Sequence, residues 1–235
     1  MNVPSPFVSA IIVAAGSSTR MGGGLSKQLL TIGEMPVIYH TIKAFQECTA
    51  IDEIIISARE CDFEPISAIA SEYHFDKVSK LVSGGETRQQ SVKNGIAAVS
   101  GKCLYLAVHD GARPLVTCSD ITLCINAAIE HGAAALGTPI VDTLKLADTS
   151  GKILGTQSRN SLWAVHTPQI FEKELYLRAL KAAEQANAFY TDDCQLIEAV
   201  KANIFIVNSS RFNIKITTPE DLLFAEAALK LKNSI

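Results

Sequence analysis

Across its 235 residues this chain has little net charge, no long apolar run and no closely spaced cysteine pair, and each absence removes a class of function. A formal net charge of -3 offers no basic face to a polyanion, so neither DNA nor RNA is an expected partner. No apolar stretch approaches the roughly 20 residues of a membrane span, and the N-terminus lacks the pattern of a secretory signal. The six cysteines contain no C-x-x-C; the nearest two, Cys118 and Cys124, fit neither a zinc knuckle nor a redox pair. Reduced thiols in a cytoplasmic protein are expected, with no metal held by side chains. There is no internal repeat and no low-complexity linker. A single domain over 1–235, large enough to bury a sizeable core, is the expected organisation.

What is present alternates. Apolar runs at 8–14, 53–58, 79–83 and 103–108 read as strands buried on both faces, with helical spacing at 36–48, 62–73 and 87–99 between them. Val92, Ile96 and Val99 share one helix face beside Ser91. A helix over Asp120–His131 and a strand over Ala133–Pro139 continue the series. Such alternation implies an α/β fold, a doubly wound and mostly parallel sheet whose ligands sit at the strands' carboxyl ends. From about 139 to 163 the pattern breaks. Two short alternating pieces, 143–146 and 152–154, flank the turn Asp148-Thr149-Ser150-Gly151, a β-hairpin arm too small to be stable unless it packs on its own domain or on a second copy. Helices over 172–186 and 191–200, a strand near 204–207 and an apolar strand over Asn213–Ile216 follow. The last helix opens at Thr218-Pro219-Glu220-Asp221, where a capping residue, a first-turn proline and acids at the positive dipole end coincide.

The chemistry-bearing segments sit at those carboxyl ends. Val13-Ala14-Ala15-Gly16-Ser17-Ser18-Thr19-Arg20-Met21, followed by Ser26-Lys27-Gln28, is a small-residue loop after a strand, able to bring backbone N–H groups to phosphate oxygens with Arg20 and Lys27 as fixed cations. No Gly-Lys-Ser/Thr closes it as a Walker A loop, and it lacks the second glycine of the dinucleotide fingerprint. The other reading is a solvated turn. Ser83-Gly84-Gly85-Glu86-Thr87-Arg88-Gln89-Gln90-Ser91 could accept a base or phosphate at a helix start, or Thr87 could simply cap that helix. In His109-Asp110-Gly111-Ala112-Arg113-Pro114, Asp110 could hold a hydroxyl or a metal-bound water and Arg113 a phosphate, unless the two form only a local surface ion pair. Lys215 lies between isoleucines, where it needs a partner if buried and none if alternation turns it to solvent.

Taken in order, these segments resemble one family over about 10–229: the 2-C-methyl-D-erythritol 4-phosphate cytidylyltransferases, CTP-using enzymes of the non-mevalonate isoprenoid pathway. The resemblance rests on Ala14-Ala15-Gly16 with Arg20-Met21, Lys27-Gln28, Gly84-Gly85 with Arg88 and Ser91, and His109-Asp110 with Ala112-Arg113-Pro114. It continues through Asp142-Thr143 and Lys145, Arg159-Asn160 with Leu162-Trp163, Thr167-Pro168-Gln169, Thr191-Asp192, Asn213-Ile214-Lys215 and Thr218-Pro219-Glu220-Asp221.

The resemblance implies a Rossmann-like nucleotidyltransferase fold and transfer of CMP from CTP to a phosphorylated polyol, with Mg2+ held mainly by the CTP phosphates. It implies that Arg20 and Lys27 stabilise charge on the α-phosphate and that Arg159 and Lys215 position the acceptor phosphate. Ala14, Ala15, Gly16, Gly85, Glu86 and Ser91 would hold the cytidine, and Asp110, Arg113 and Thr143 would line the junction with the acceptor. It further implies a cytoplasmic homodimer in which the hairpin arm carries Thr143 and Arg159 into the partner's site. Gly22-Gly23-Gly24-Leu25-Ser26 departs from the family pattern and suggests a lid that orders on CTP; Glu86 stands where some members have Asp, and Gly111 where they have Ala. The alternatives are a sister enzyme acting on ribitol 5-phosphate and a non-catalytic nucleotide-binding protein; a free-standing enzyme is expected.

Overall fold

The structure, a computed structural model, describes residues 5–16 and 26–232. Along the chain run β1 (Val8–Val13), the short pair β2 (Thr31–Ile32) and β3 (Met35–Pro36), α1 (Val37–Glu47), β4 (Glu53–Ala58), α2 (Phe63–Glu72), β5 (Val78–Ser83), α3 (Arg88–Ala98) and β6 (Tyr105–Asp110). They are followed by α4 (Cys118–His131), β7 (Ala133–Pro139), the hairpin strands β8 (Lys145–Ala147) and β9 (Ile153–Thr156), β10 (Trp163–Glu172), α5 (Lys173–Gln185), α6 (Asp193–Ala199), β11 (Phe205–Asn208) and α7 (Pro219–Lys232). Seven strands form one sheet in the order β11-β7-β10-β6-β1-β4-β5. β6, β1, β4 and β5 pair in parallel, so the ends at Asp110, Val13, Ala58 and Ser83 share one edge of the sheet.

Both faces of the central strands are covered because their apolar runs do not alternate with polar residues. Ala10 and Ile12 of β1 face one core with Phe45, Ile54 and Ile56, while Ile11 faces the other with Val92, Val108 and Phe171. β5 departs from the expectation of two buried faces. As the outermost strand it is only partly covered, and its second and third residues, Ser79 and Lys80, are exposed. Thr117 caps α4 by accepting the Asp120 N–H, so the helix begins before the expected Asp120, and Gly132 ends it at φ +89°, a conformation that disfavours residues with a Cβ.

Two elements differ from the sequence reading. β10 was not anticipated, yet it runs antiparallel between β6 and β7, with Gln169 opposite both Val108 and Ala135. Pro168 cannot donate to a ladder, and the register shifts between Val165 and Gln169, so the stretch lacks the period of a central strand. Conversely, Asn213–Ile216 is not a strand but an irregular segment between β11 and α7. The arm forms its own two-stranded sheet, β8 against β9, and leaves Leu146, Ile153 and Leu154 more than half exposed at 52%, 60% and 58%. No helix among the described residues is long and apolar enough to cross a membrane.

Candidate active site

The loops after β1, β5 and β6 meet at the shared sheet edge. Ala14 N–H donates to Ser57 O at 2.7 Å, Gly84 N–H to Ala58 O at 2.8 Å and Gly111 N–H to Val13 O at 2.8 Å, so each loop leaves its strand tethered to a neighbour. Gly84 is required by close approach: a Cβ there would lie 2.1 Å from the Ala15 Cβ. The two expected nucleotide loops are therefore in contact, and a Cβ added at Gly16 would meet no described atom within 4 Å. The capping reading of the second loop holds. Thr87 does cap α3, accepting the Gln90 N–H at 3.0 Å. Ser91 accepts the Gly85 N–H at 3.0 Å and donates to Thr87 O at 3.0 Å, so its hydroxyl shapes the loop, while the Glu86 side chain is exposed.

Asp110, the last residue of β6, is the charge centre. Its Oδ2 lies 2.8 Å from Lys215 Nζ and 3.7 Å from Arg113 Nε, and its Oδ1 accepts from Arg88 Nε at 3.3 Å. The arrangement is no surface ion pair: Asp110 and Arg113 are both buried, at 7% and 8% exposure. Burial by itself would raise the Asp110 carboxyl, but Arg88, Lys215 and Arg113 together outweigh it and hold the group well below the usual carboxylate range. Arg88 also donates to Asp193 Oδ2 at 2.6 Å, and Asp193 Oδ1 accepts from the buried Tyr176 hydroxyl at 2.7 Å. Burial opposes the Arg88 charge, yet Asp193 and Asp110 raise its affinity for the proton above the ordinary guanidinium value.

The irregular segment that carries Lys215 is pinned from several sides. Asn213 O accepts from Arg113 Nη1 at 2.7 Å, Asn213 Nδ2 donates to Thr167 O at 2.9 Å, and Ile216 N–H donates to Ala112 O at 2.8 Å. Ile216 itself is buried with Ile32, Val37, Leu115 and Ala225. At the start of α7, Asp221 Oδ2 accepts from the Thr217 and Thr218 N–H groups and from the Thr217 hydroxyl, so the first-turn acid reaches back to fix the residues ahead of the helix. Lys27, in a single 3-10 turn, donates to Ile216 O at 2.9 Å, one residue from Lys215. Lys215 keeps 38% of its side chain exposed, which leaves it within reach of a ligand.

Beneath this cluster, His109 is fully buried and burial lowers its pKa to about 3, so the ring is neutral. Arg113 O can only accept, so the Nε2 facing it at 3.2 Å bears the proton; Nδ1 then accepts from the Thr167 hydroxyl at 3.0 Å, and Thr167 Oγ1 accepts the Asp110 N–H at 3.0 Å. One imidazole thus ties the backbones of Asp110 and Arg113 to β10.

The chain brings Lys27, Asp110, Arg113 and Lys215 together, and Ala14, Ala15, Gly16, Gly85 and Ser91 beside them. Arg20 and the 22–25 part of the glycine-rich stretch lie outside the described residues. Thr143 and Arg159 do not join the cluster: both are exposed on the arm, where Arg159 donates to Val141 O. Arg88, Asp193, Tyr176, Thr167 and Asn213 were assigned no role from the sequence. Arg88 was visible as the cation that opens a helix behind two glycines; Asp193 and Tyr176 carried no local signal. Arg88, Arg113 and Lys215 pair with the carboxylates of Asp110 and Asp193 while Lys27 stands nearby on Ile216 O, and that excess of cations suits anionic ligands. Among the described residues no three His, Cys, Asp or Glu converge as a metal site.

Comparison with known proteins points the same way. Residues 8–231 match the family model described as 2-C-methyl-D-erythritol 4-phosphate cytidylyltransferase (IspD). A protein so named from Caldanaerobacter subterraneus subsp. tengcongensis is 47% identical over 225 residues, covering 95% of this chain and 99% of the relative. One from Alkaliphilus oremlandii is 42% identical over 226 residues, covering 95% of each. Among solved structures, 4-diphosphocytidyl-2C-methyl-D-erythritol synthase from Anaerococcus prevotii superposes with a TM-score of 0.84 at 31% identity, covering 96% of this chain and 99% of that one.

Proposed function

Because this chain belongs to the 2-C-methyl-D-erythritol 4-phosphate cytidylyltransferase family, we propose that the cation cluster around Asp110 is where its reaction occurs. The chain is a cytidylyltransferase of isoprenoid synthesis: it transfers CMP from CTP to the phosphate of 2-C-methyl-D-erythritol 4-phosphate, giving 4-diphosphocytidyl-2-C-methyl-D-erythritol and pyrophosphate. With a second pKa of about 6, the acceptor phosphate is largely dianionic at neutral pH and needs no general base. One of its oxygens bonds to the α-phosphorus as the bond to the β-bridging oxygen breaks, and pyrophosphate leaves with that electron pair. The barrier lies in bringing two anions together and in the charge spread over the phosphoryl oxygens.

Each part of the cluster suits a share of that task. The backbone of Ala14, Ala15, Gly16 and Gly85, with Glu86 and Ser91, receives the nucleotide. Lys27, with Arg20, stabilises charge on the α-phosphate. Lys215 and Arg113 receive the acceptor phosphate, and Asp110 sets the Lys215 ammonium. The observation that carries the reading is Lys27 bound to Ile216 O while the adjacent Lys215 pairs with Asp110, so cations for both substrates share one backbone segment. Mg2+ held mainly by the CTP phosphates fits the donor set, since both Asp110 oxygens already face cations of the chain; there it screens the triphosphate charge. We place the enzyme in the cytoplasm, in keeping with six unpaired cysteines. We also propose a homodimer through the arm, which supplies Thr143 and Arg159 to the partner's site, because the exposed Leu146, Ile153 and Leu154 need a cover.

The test is pyrophosphate release from CTP with Mg2+, run with methylerythritol phosphate and ribitol 5-phosphate in parallel. Turnover confined to the first is expected. Turnover unaffected by Lys215→Met would remove the cluster from the reaction.

A further inference from the structure

The cluster contains a brace with no part in the chemistry just described. Arg88 opens α3, Asp193 opens α6 and Tyr176 lies on α5, so side chains from three helices form a chain, Tyr176 to Asp193 to Arg88, that ends on the carboxylate at the end of β6. The brace also closes on itself. Asp193 N–H donates to Gln169 Oε1 at 3.1 Å, and Gln169 sits on β10 opposite Val108 of β6, two residues before Asp110. We propose that Arg88, held by Asp193 and Tyr176, is a positioning residue that fixes the Asp110 carboxylate so that Lys215 faces the acceptor phosphate.

The argument is one of competition for two oxygens. Among the described residues the buried donor Arg113 Nε has no partner within hydrogen-bond distance, and it stands 3.7 Å from the same Asp110 Oδ2 that holds Lys215 at 2.8 Å. A carboxylate free to turn gains a proper bond to Arg113 by swinging toward it, at the expense of Lys215. Arg88 prevents the turn by engaging Oδ1 from the other side. It can do so only while its own fork is held, and the 2.6 Å bond to Asp193, backed by the 2.7 Å bond from Tyr176, holds it. Stability alone does not account for two buried carboxylates bridged by Arg88 here, since apolar side chains of similar volume commonly serve a core as well or better.

The inference rests on the assignment of Lys215 to the acceptor phosphate. Asp193→Asn keeps the shape and the partner for Tyr176 but removes the charge that steadies Arg88. It is expected to raise KM for methylerythritol phosphate by about ten- to a hundred-fold, the worth of one charge-assisted hydrogen bond, with KM for CTP little changed. Arg88→Gln should act alike, and the double variant should be no worse than Arg88→Gln, since both break one brace. Tyr176→Phe, which removes a single hydroxyl, should give a smaller rise of the same kind in a well-folded protein. Equal changes in both KM values, additive effects in the double variant, or an unchanged acceptor KM in folded Tyr176→Phe and Asp193→Asn would overturn the proposal. Lys215→Met separates the two failures: if it alters KM for CTP rather than for the acceptor, the assignment of Lys215 is wrong; if it acts on the acceptor while Asp193→Asn does not, the brace is.

Discussion

The cluster around Asp110 and the arm over 139–163 are opposites. In the cluster, charged side chains answer one another around a buried carboxylate: Asp110 meets three cations, Arg88 meets two carboxylates, and His109 uses both ring nitrogens. On the arm, apolar side chains are exposed, and Arg159 donates to the carbonyl of Val141 at the arm's own base. A region completed by its own chain ties its side chains to each other. The arm shows the reverse: apolar area faces water, with Arg159 tied to the Val141 carbonyl and Lys145 to the Thr156 hydroxyl of the neighbouring strand. The cluster is preorganised before any ligand arrives, whereas in the proposed homodimer the arm would add its share of the site only on assembly.

Perturbations of the two regions should therefore separate. The largest effect is expected from Asp110→Asn, which leaves three cations without their shared counterion and should cost about 3–5 kcal/mol of stability, read by urea denaturation. Lys27→Ala should keep the fold but lower turnover by roughly a hundred- to a thousand-fold, by analogy with the loss of one donor to developing charge. A folded Lys27→Ala protein with ordinary turnover would break the comparison on the cluster side. The arm should behave differently: Leu146→Asp with Ile153→Asp should leave the urea midpoint of the isolated chain within about 0.5 kcal/mol while abolishing dimerisation in sedimentation. Loss of turnover in that variant, restored by mixing with a Lys27→Ala chain whose arm is intact, would sharpen the comparison by showing that the arm acts across the interface.

The pH dependence follows from the buried imidazole. His109 titrates near 6.5 in the unfolded chain and at about 3 when folded, so the unfolded state binds the extra proton between those values. Its contribution is complete above about pH 6.5 and falls by up to about 1.4 kcal/mol per pH unit on acidification toward 3. The lowered Asp110 carboxyl has the same sign at lower pH: its stabilisation is present above about 3.9 and is lost below it. Replacement of His109 by Gln should flatten the upper part of that fall, measured by urea midpoints across the range. The smallest effect is expected at Arg159→Ala, within about 0.5 kcal/mol of stability because the side chain is exposed.

Much of this was legible in order along the chain. The central strands declared themselves because burial on both faces demands unbroken apolar runs, and Ala133–Pro139 was bounded correctly for the same reason. β10 was not legible. It carries Pro168 and a register shift, so its place between β6 and β7 comes from partners distant in sequence rather than from its own pattern. The Lys215 segment was misread in the opposite way: Ile214 and Ile216 suggested a strand, yet Ile216 is buried by α7 and β2 residues instead of by sheet neighbours.

Local pattern alone determined which residues are polar at strand ends, where the glycines permit close approach and which family the order of segments resembles, because those properties need only a few adjacent residues. Tertiary structure decided which charges meet. Asp110 takes Arg113 from its own loop, but it receives Arg88 and Lys215 from distant parts of the chain, and Arg88 finds Asp193 more than a hundred residues away. No local spacing encodes such a meeting. Charges that answer one another in a buried site need near-contact distances, and only the closed packing of β6, β10, α3, α6 and the segment before α7 brings them that close.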